Sequence, residues 1–441
     1  MYKIFIFYLI FITNLSFSQS NCWKEISSIG SHTLALKIDG TLWAWGFNSE
    51  GQLGNNTLIS STLPIQIGTE NDWKQISAGT GISAAIKNNG TLWVWGSNFN
   101  GLLGIPTSSN SKIPNQLGTS IWKQVSAGDY YFSAIKEEST FSNYGSLWQW
   151  GGNANALGSS SYLINPTKIG TRTDWRSVVS GYSFTFAIGT FNTIWGWGLN
   201  SYGQLGNGNQ INQNTPVQIG GNTTWKKIDP GYYHTIAIRN DNTLWTWGRN
   251  HFGQLGNGTN TDSSIPIQVD NSNDWLNISA GGNFCLVTKN NGNLYSFGYN
   301  SDGQLGIGSN SNSNLPIQIG NSSNWDKING SDRYAYSIDN LNNLWQWGNN
   351  SSNIPSTISC TTLSNYEFVK ESFLVYPNPV NNFLYIENIK DSNYEIYDIS
   401  SKRVLYGIIN NPINVSSLEK GVYFLKVTFE DKVTTQKFIK E

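Results

Sequence analysis

A tryptophan that returns about every fifty residues limits this chain to very few architectures. Trp23, Trp73, Trp122, Trp175, Trp225, Trp275 and Trp325 are spaced 49 to 53 residues apart. Each opens a copy of one pattern: W-K-x-I-S-x-G, a small-apolar run ending in Lys, a turn, L-W-x-W-G, a polar loop, then P-x-x-I. In the second copy these are Trp73-Lys74-Gln75-Ile76-Ser77, Ala84-Ala85-Ile86-Lys87, Asn88-Asn89-Gly90, Leu92-Trp93-Val94-Trp95-Gly96 and Pro114-Asn115-Gln116-Leu117. A period of this length signals a repeat architecture before any local structure is assigned.

Four short apolar runs per copy, bounded by Gly, Asn and Pro, are four β-strands. Asp39-Gly40, Asn89-Gly90 and Asn291-Gly292 join the second strand to the third, and such pairs favour a tight turn with positive φ. A fifty-residue unit of four antiparallel strands is one propeller blade, and seven units close a ring. Trp43 and Trp45 lie two apart, so they point to the same face of their strand. Each blade is sandwiched between two others, so both faces require bulky apolar groups. Three Trp columns over seven blades make 21 slots; all 19 Trp fill them, with Tyr295 and Phe297 in the other two. The low charged fraction, 12%, follows from blades buried on both faces. A net charge of −1 excludes the broad basic surface that binding nucleic acid by phosphate neutralisation needs.

The loops after W-G carry Asn200-Ser201-Tyr202-Gly203-Gln204-Leu205-Gly206, Asn250-His251-Phe252-Gly253-Gln254-Leu255-Gly256 and Asn300-Ser301-Asp302-Gly303-Gln304-Leu305-Gly306, with Asn48 to Gly54 similar. At these residues, and over Trp23 to about Cys360, the chain resembles the regulator of chromosome condensation repeat family, which implies a seven-bladed propeller. The third copy departs at Asn153-Ala154-Asn155-Ala156-Leu157-Gly158, which lacks Gln. The seventh has Asn349-Asn350-Ser351 and no Gly-Gln-Leu-Gly. The first copy has no P-x-x-I before Trp23, and the last ends in Ile354-Pro355-Ser356-Thr357-Ile358. The expected closure is therefore strand sharing, with Pro355 to Ile358 completing the blade that Trp23 begins. Cys22 and Cys360 flank that seam and are expected to form a disulfide. Cys285 stands in the column of Thr33, Ser83 and Thr235 and is expected to be a buried free thiol.

Both ends carry export signals. Lys3, the apolar run Ile4 to Ile12 and Ser16-Phe17-Ser18 before Gln19 form the three regions of a secretory signal peptide, cut between Ser18 and Gln19. The run is about half the ~20 residues a spanning helix needs, and no later segment is long or apolar enough to span. Beyond a polar linker at 361–372, residues 373–441 alternate as a small Ig-like β-sandwich. The motifs Tyr376-Pro377-Asn378-Pro379, Gly421-Val422-Tyr423 and Lys437-Phe438 resemble the type A sorting domain of the type IX secretion system. That resemblance implies handling by the type IX machinery, passage through the periplasm and outer membrane, and release or surface attachment. Ser401 stands where that family usually has Gly. The fold class is thus all-β, with a signal peptide at 1–18, a propeller at 19–360, a linker and a sorting sandwich.

Chemistry is sparse. His32 and His234 share a column with Ile82, Tyr131, Phe184, Phe284 and Tyr334, so the position is structural, and His251 stands alone in a loop. The sequence has no metal-ligand spacing, phosphate loop or nucleophile elbow, and no cofactor is expected. The turn after the first strand and the loop after the third emerge on one face. The loop repeats and is expected to be scaffold, whereas the turn varies: Gly30-Ser31, Thr80-Gly81, Asp129-Tyr130, Tyr182-Ser183, Tyr232-Tyr233, Gly282-Asn283 and Asp332-Arg333. Asp129, Tyr130, Tyr182, Tyr232, Tyr233, Asp332 and Arg333 are candidate recognition residues, because Tyr gives contact area at low entropic cost. The alternative is a set of solvated turns with no partner. Nuclear relatives act as nucleotide exchange factors or chromatin binders, roles that export and neutral charge argue against. The expectation is a secreted, non-catalytic propeller that binds an extracellular protein or glycan. The rival is a glycan-degrading enzyme with carboxylates meeting in the central channel.

Overall fold

The computed structural model describes residues 22–107, 109–139, 144–152, 162–221, 224–349, 352–358, 375–386, 392–399, 402–410, 412–429 and 432–441. Ser18, Gln19, Cys360, Ser401 and the linker lie outside the described residues. The chain divides into two compact units, residues 1–360 and 361–441.

The first unit is a ring of seven antiparallel blades, each of four strands in consecutive order; the first, fifth, sixth and seventh are separate four-stranded sheets, and the second to fourth run together as one eleven-stranded sheet. In the fifth blade these are Trp225–Pro230, His234–Arg239, Leu244–Gly248 and Ser263–Gln268. In the second and third blades one continuous strand, Ser111–Ala127, is shared: its start pairs with Thr91–Gly96 and its end with Tyr131–Glu137. The turns joining the second strand to the third place Gly40, Gly90 and Gly292 at φ between 80° and 84°, with Asn242 and Asn342 at 62° and 61° in other blades. Only Gly and the short polar side chains adopt that conformation cheaply.

The Trp columns form the interblade core. The first Trp of each blade meets the second edge-on, at ring distances of 6.2 Å for Trp23 and Trp43 and 6.0 Å for Trp73 and Trp93. Such pairs contribute about 0.5–1.5 kcal/mol beyond area burial. The Lys that ends the second strand caps the pair from outside: the Lys37 ammonium lies 3.7 Å from the Trp43 ring and Lys289 lies 4.6 Å from Trp275. The repeating Lys is therefore a cation–π cap, with its hydrocarbon stem covering the indoles. In the fourth copy the position is Gly189, and Arg172 reaches in from the preceding loop, 4.5 Å from Trp175 and 4.6 Å from Trp195.

The ring closes differently from expectation. The last strand, Ser352–Ile358, pairs with Leu344–Gly348 of its own blade, and Trp23–Ser27 pairs with His32–Lys37, so no strand is shared. Every repeat carries its own outer strand at its carboxy-terminal end, and the blade that Trp23 begins is completed by Ser61–Gln66. The seam copies the other boundaries: Trp23 N–H donates to Asn342 C=O at 3.1 Å, as Trp325 N–H donates to Gly292 C=O. Thr33 Oγ1 donates to the Tyr336 hydroxyl, Ser28 Oγ to Ser331 Oγ, and the Lys327 ammonium to Lys24 C=O. Trp23, Trp45, Tyr336 and Ile338 seal it as one apolar cluster, against which Cys22 and Ile358 pack.

The second unit is a β-sandwich of two sheets. One holds Val375–Tyr376, Phe383–Ile386 and Ile413–Asn414; the other holds Arg403–Ile408, Asn393–Asp398, Gly421–Phe429 and Lys432–Lys440 in that order. Leu384, Ile386, Ile396, Val415, Leu425 and Phe438 are buried between them. Its sequence motifs are structural. Tyr423 sits opposite Phe438 across the ladder with stacked rings 5.7 Å apart, and Asn378 accepts from Ile439 N–H and donates to Lys437 C=O. The bonds before Pro377 and Pro379 are cis.

Candidate functional site on a loop face anchored by asparagines

In all seven blades the backbone N–H after the W-G pair donates to the carbonyl of the last residue of the first turn, as Arg249 does to Tyr233 and Gly152 to Tyr130. Turns and loops therefore share one face. One buried Asn folds the loop in the first, second, fourth, fifth and sixth blades: Asn48, Asn98, Asn200, Asn250 and Asn300. Asn250 Nδ2 donates to Asn257 Oδ1, Thr259 C=O and Thr261 C=O, while its Oδ1 accepts from Leu255 N–H. The loop Gln is fixed too: Gln254 Oε1 accepts from Phe252 N–H. Its counterparts' carbonyls accept the third-column indole of the next blade, Trp95 onto Gln52 and Trp247 onto Gln204, each at 2.9 Å. The loop's repeated residues are scaffold, and its second and third positions are left to face outward.

The sequence-derived candidates fall into two groups. Tyr182 and Tyr232 lie 4.9 Å apart at the mouth of the channel, and Tyr182 reaches Tyr233 at 6.1 Å. Tyr232 donates to the Asp332 carboxylate; burial first and that charge second raise its hydroxyl pKa far above the ordinary value. Asp129 is held up at about 6 by burial, opposed by a hydrogen bond from Thr80, and its charge is the main influence raising Tyr182. Arg333 is exposed and lies 3.8 Å from its neighbour Asp332. Tyr130 stands apart, over the second blade's turn.

Sequence reasoning missed the outward extension of the first group. Tyr233 meets Tyr202 at 5.2 Å, and Tyr202 meets His251 at 6.3 Å. The Arg249 guanidinium lies 5.1 Å from the Tyr202 ring and 5.7 Å from Phe252, which packs on Tyr299 at 4.9 Å. Arg249 also donates to His251 Nδ1. An aromatic strip with one guanidinium thus crosses the fourth, fifth and sixth blades. The overlooked signal is the variation at the second and third loop positions, Ser201-Tyr202 against His251-Phe252 and Ser301-Asp302, inside a motif treated as uniform scaffold.

The channel is lined by the first strands and encloses a cavity of about 410 Å³. Its polar side chains bind neighbouring blades. Ser27, Ser77, Ser126, Asp229 and Ser279 each accept from a backbone N–H of the next blade, and Gln75 and Gln124 each accept from the N–H and donate to the C=O of one residue there, Val125 and Val178. Glu25 accepts from Ile76 N–H. Burial raises both Glu25 and Asp229 to about 7. The buried histidines are likewise interblade pins: His32 Nε2 lies 2.7 Å from Ser83 Oγ, and His234 Nε2 lies 3.2 Å from Cys285 Sγ. Burial lowers them to about 3 and about 4. Cys285 is a buried free thiol. Among the described residues no cluster of His, Cys, Asp and Glu could hold a metal ion, and no helix is long and apolar enough to cross a membrane.

Comparison with solved structures places the first unit among known propellers. Yeast Prp20p, in a structure described with its binding to Gsp1p and histones, matches with a TM-score of 0.66 at 19% identity, over 78% of this chain and 89% of that one. Yeast RCC1 (Prp20) in a complex with Kap60 matches at 0.65 and 18%, over 76% and 86%. Human WBSCR16 matches at 0.64 and 17%, over 72% and 93%. At these identities the likeness is one of fold. Residues 374–441 match the secretion system C-terminal sorting domain, of the type IX system, which directs the chain to export and to secretion or cell-surface attachment. Residues 12–328 match the RCC1-like domain, and with seven blades and Asn-anchored loops the chain belongs to the RCC1-like domain family.

Proposed function

We propose that this is an exported, non-catalytic binding propeller that engages an extracellular protein or glycan through its loop face. The carrying observation is the aromatic strip from Tyr182 to Tyr299, with Arg249 at its centre, set on variable positions of an otherwise repeated scaffold. Tyr and Arg dominate binding hot spots because they combine large apolar area with directional polar ends. Pull-down and glycan-array binding with the secreted chain test it. The combined change of Tyr182, Tyr233 and Tyr202 to Ala should abolish capture while leaving the fold intact. Capture unaffected by that change would remove this face.

The glycan-degrading alternative draws on Glu25 and Asp229, whose elevated pKa values suit an acid catalyst. Each is committed to a backbone N–H of the next blade, which explains the residue type without chemistry. Turnover of any polysaccharide, lost on Asp229→Asn, would favour the enzyme.

The remaining proposals concern processing. A cut between Ser18 and Gln19 releases the mature chain, with domain limits at 19–360 and 373–441, and the type IX machinery handles the tail. A Cys22–Cys360 disulfide locks the seam. Cys22 and Ile358 pack on the same cluster, which brings the chain to within two residues of Cys360. Non-reducing peptide mapping that recovered both as free thiols would refute the bond.

A further inference from the structure

On the same face, away from the strip, a cavity of about 560 Å³ opens where the first three blades meet, lined by Glu50, Phe99, Asn110, Tyr130 and Tyr162 among others. That volume is in the range of small-ligand sites. Three aromatic rings reach it while still open to solvent: Phe99 is 69%, Tyr162 47% and Tyr130 38% exposed. Rings that only packed the scaffold would be covered, as the Trp columns are.

Tyr130 is held there against its own preference. Its φ is +58°, a conformation that costs a bulky residue about 1–3 kcal/mol and that clusters at ligand sites. The matching residue of the second blade is Gly81, at φ +67°, and the Tyr130 ring lies against it. Glycine in place of Tyr130 would make the same turn without strain, so the ring is what the strained backbone presents.

The polar side of the pocket is equally fixed. Asn110 Nδ2 donates to Glu50 Oε2 at 2.6 Å while its Oδ1 accepts from Asn98 N–H. The Glu50 backbone is itself tied to Gln52. These bonds do not use carboxylate Oε1 or the second amide N–H of Asn110, so the same lining offers an acceptor, a donor and aromatic rings together. A pyranose matches that set. Its axial C–H bonds form an apolar face that stacks on an aromatic ring, and its vicinal hydroxyls both donate and accept. The carboxylate selects against acidic sugars.

We propose that this pocket binds a neutral hexopyranose of an extracellular glycan, stacked on Tyr130 and hydrogen-bonded by Glu50 and Asn110. It rests on the assignment of the loop face as the binding surface and adds a ligand class at one part of it. The full secreted chain should be titrated with the methyl pyranosides of glucose, galactose, mannose and N-acetylglucosamine, and with glucuronate, by saturation-transfer NMR and calorimetry. At least one neutral glycoside should bind in the millimolar range and glucuronate should not. Tyr130→Gly should raise Kd at least about tenfold with no fall in melting temperature, and Glu50→Gln should weaken the neutral sugar while admitting glucuronate. The Tyr182, Tyr233 and Tyr202 triple variant should leave sugar binding unchanged. Absence of binding by all four glycosides, or equal binding by Tyr130→Gly, would overturn the proposal. A partner captured through the strip in that case would leave the wider reading of the face standing.

Discussion

Two kinds of blade build this ring. In three of the four with the Gly-Gln-Leu-Gly loop, a loop carbonyl accepts the indole N–H of the next blade's third column, as Gln204 does from Trp247; in the fifth the next column holds Phe297, and the Gln254 carbonyl accepts from Cys285 Sγ instead. The third and seventh copies lack the motif, yet the indoles beyond them are also satisfied. After the third, Gln149 on the strand itself takes over: Oε1 accepts from Trp197 Nε1 at 2.9 Å, and Nε2 donates to Ser133 and Thr185. After the seventh, the Tyr336 hydroxyl accepts from Trp45. Beyond the second blade, where Leu102 stands in the place of Gln, Trp150 Nε1 has no partner among the described residues, and its ring stacks on Phe132 at 5.2 Å instead. A bare donor in a dry interface costs about 1–3 kcal/mol. That cost explains why three different groups have been recruited as acceptors for the same buried indole.

The contrast is broken most severely at the loop anchor. Asn250→Ala removes one acceptor and three donor contacts from a fully buried site and frees the carbonyl of Gln254 from its position. A loss of about 4 kcal/mol is expected in urea unfolding. Asn349→Ala in the seventh blade, where Nδ2 donates to the Tyr334 hydroxyl, should cost about 1 kcal/mol. Equal losses would mean that the Asn-anchored loops do not hold the blades together. Gln149→Leu tests the substitute: it strands Trp197 Nε1 and should cost about 3 kcal/mol.

Much of this is legible in the sequence alone. A fixed spacing of large aromatics is a direct consequence of identical blades stacking on both faces, so the period, the blade count and the Trp columns follow from side-chain size. The seam does not. The spacing of repeats is unchanged by where the ring is cut, and only the pairing of Ser352–Ile358 with Leu344–Gly348 sets the phase. The proposed binding positions hide for a similar reason. Tyr202, His251 and Phe252 sit inside a motif whose Asn, Gly, Gln and Leu recur, and recurrence conceals the two positions per loop that vary. The channel carboxylates look catalytic in isolation; their partners are backbone N–H groups, which no side-chain pattern encodes.

The fifth blade differs from its neighbours in the channel as the third does at its loop, with Asp229 where the first, second, third and sixth have Ser. Its pKa rises from about 4 unfolded to about 7 folded because burial penalises the charge. The sign follows: the protonated side chain suits the fold, so its contribution is complete below pH 4 and is lost as pH rises through 7. Asp229→Asn keeps an acceptor for Ala280 N–H and removes the charge. Stability should match the parent at pH 4 and exceed it by about 2 kcal/mol at pH 8, water entry into the channel reducing the ~4 kcal/mol that three pK units would give. A gain that does not grow with pH would show that Asp229 is not the titrating group.

The smallest expected effect concerns the cation over each Trp pair. In the second and sixth blades the Lys that ends the second strand covers the indoles and pairs with an Asp just before the first Trp, Lys87 with Asp72 and Lys289 with Asp274. The fourth blade reaches the same arrangement from the opposite direction: Arg172 stacks on Trp175 and Trp195 and donates to Asp174, holding that carboxyl at about 2. A Cβ at Gly189 would lie 2.8 Å from Arg172 Nη2, so two cations cannot occupy the site together. Arg172→Ala should cost about 1 kcal/mol, and Gly189→Lys alone should also destabilise, by crowding. The double variant should recover most of the loss, since the introduced ammonium beside Asp174 then reproduces the ordinary blade. If the two losses simply add, the cation is incidental to the Trp pair; a favourable coupling of about 1 kcal/mol would establish that the blade needs one cation at that place and tolerates either route to it.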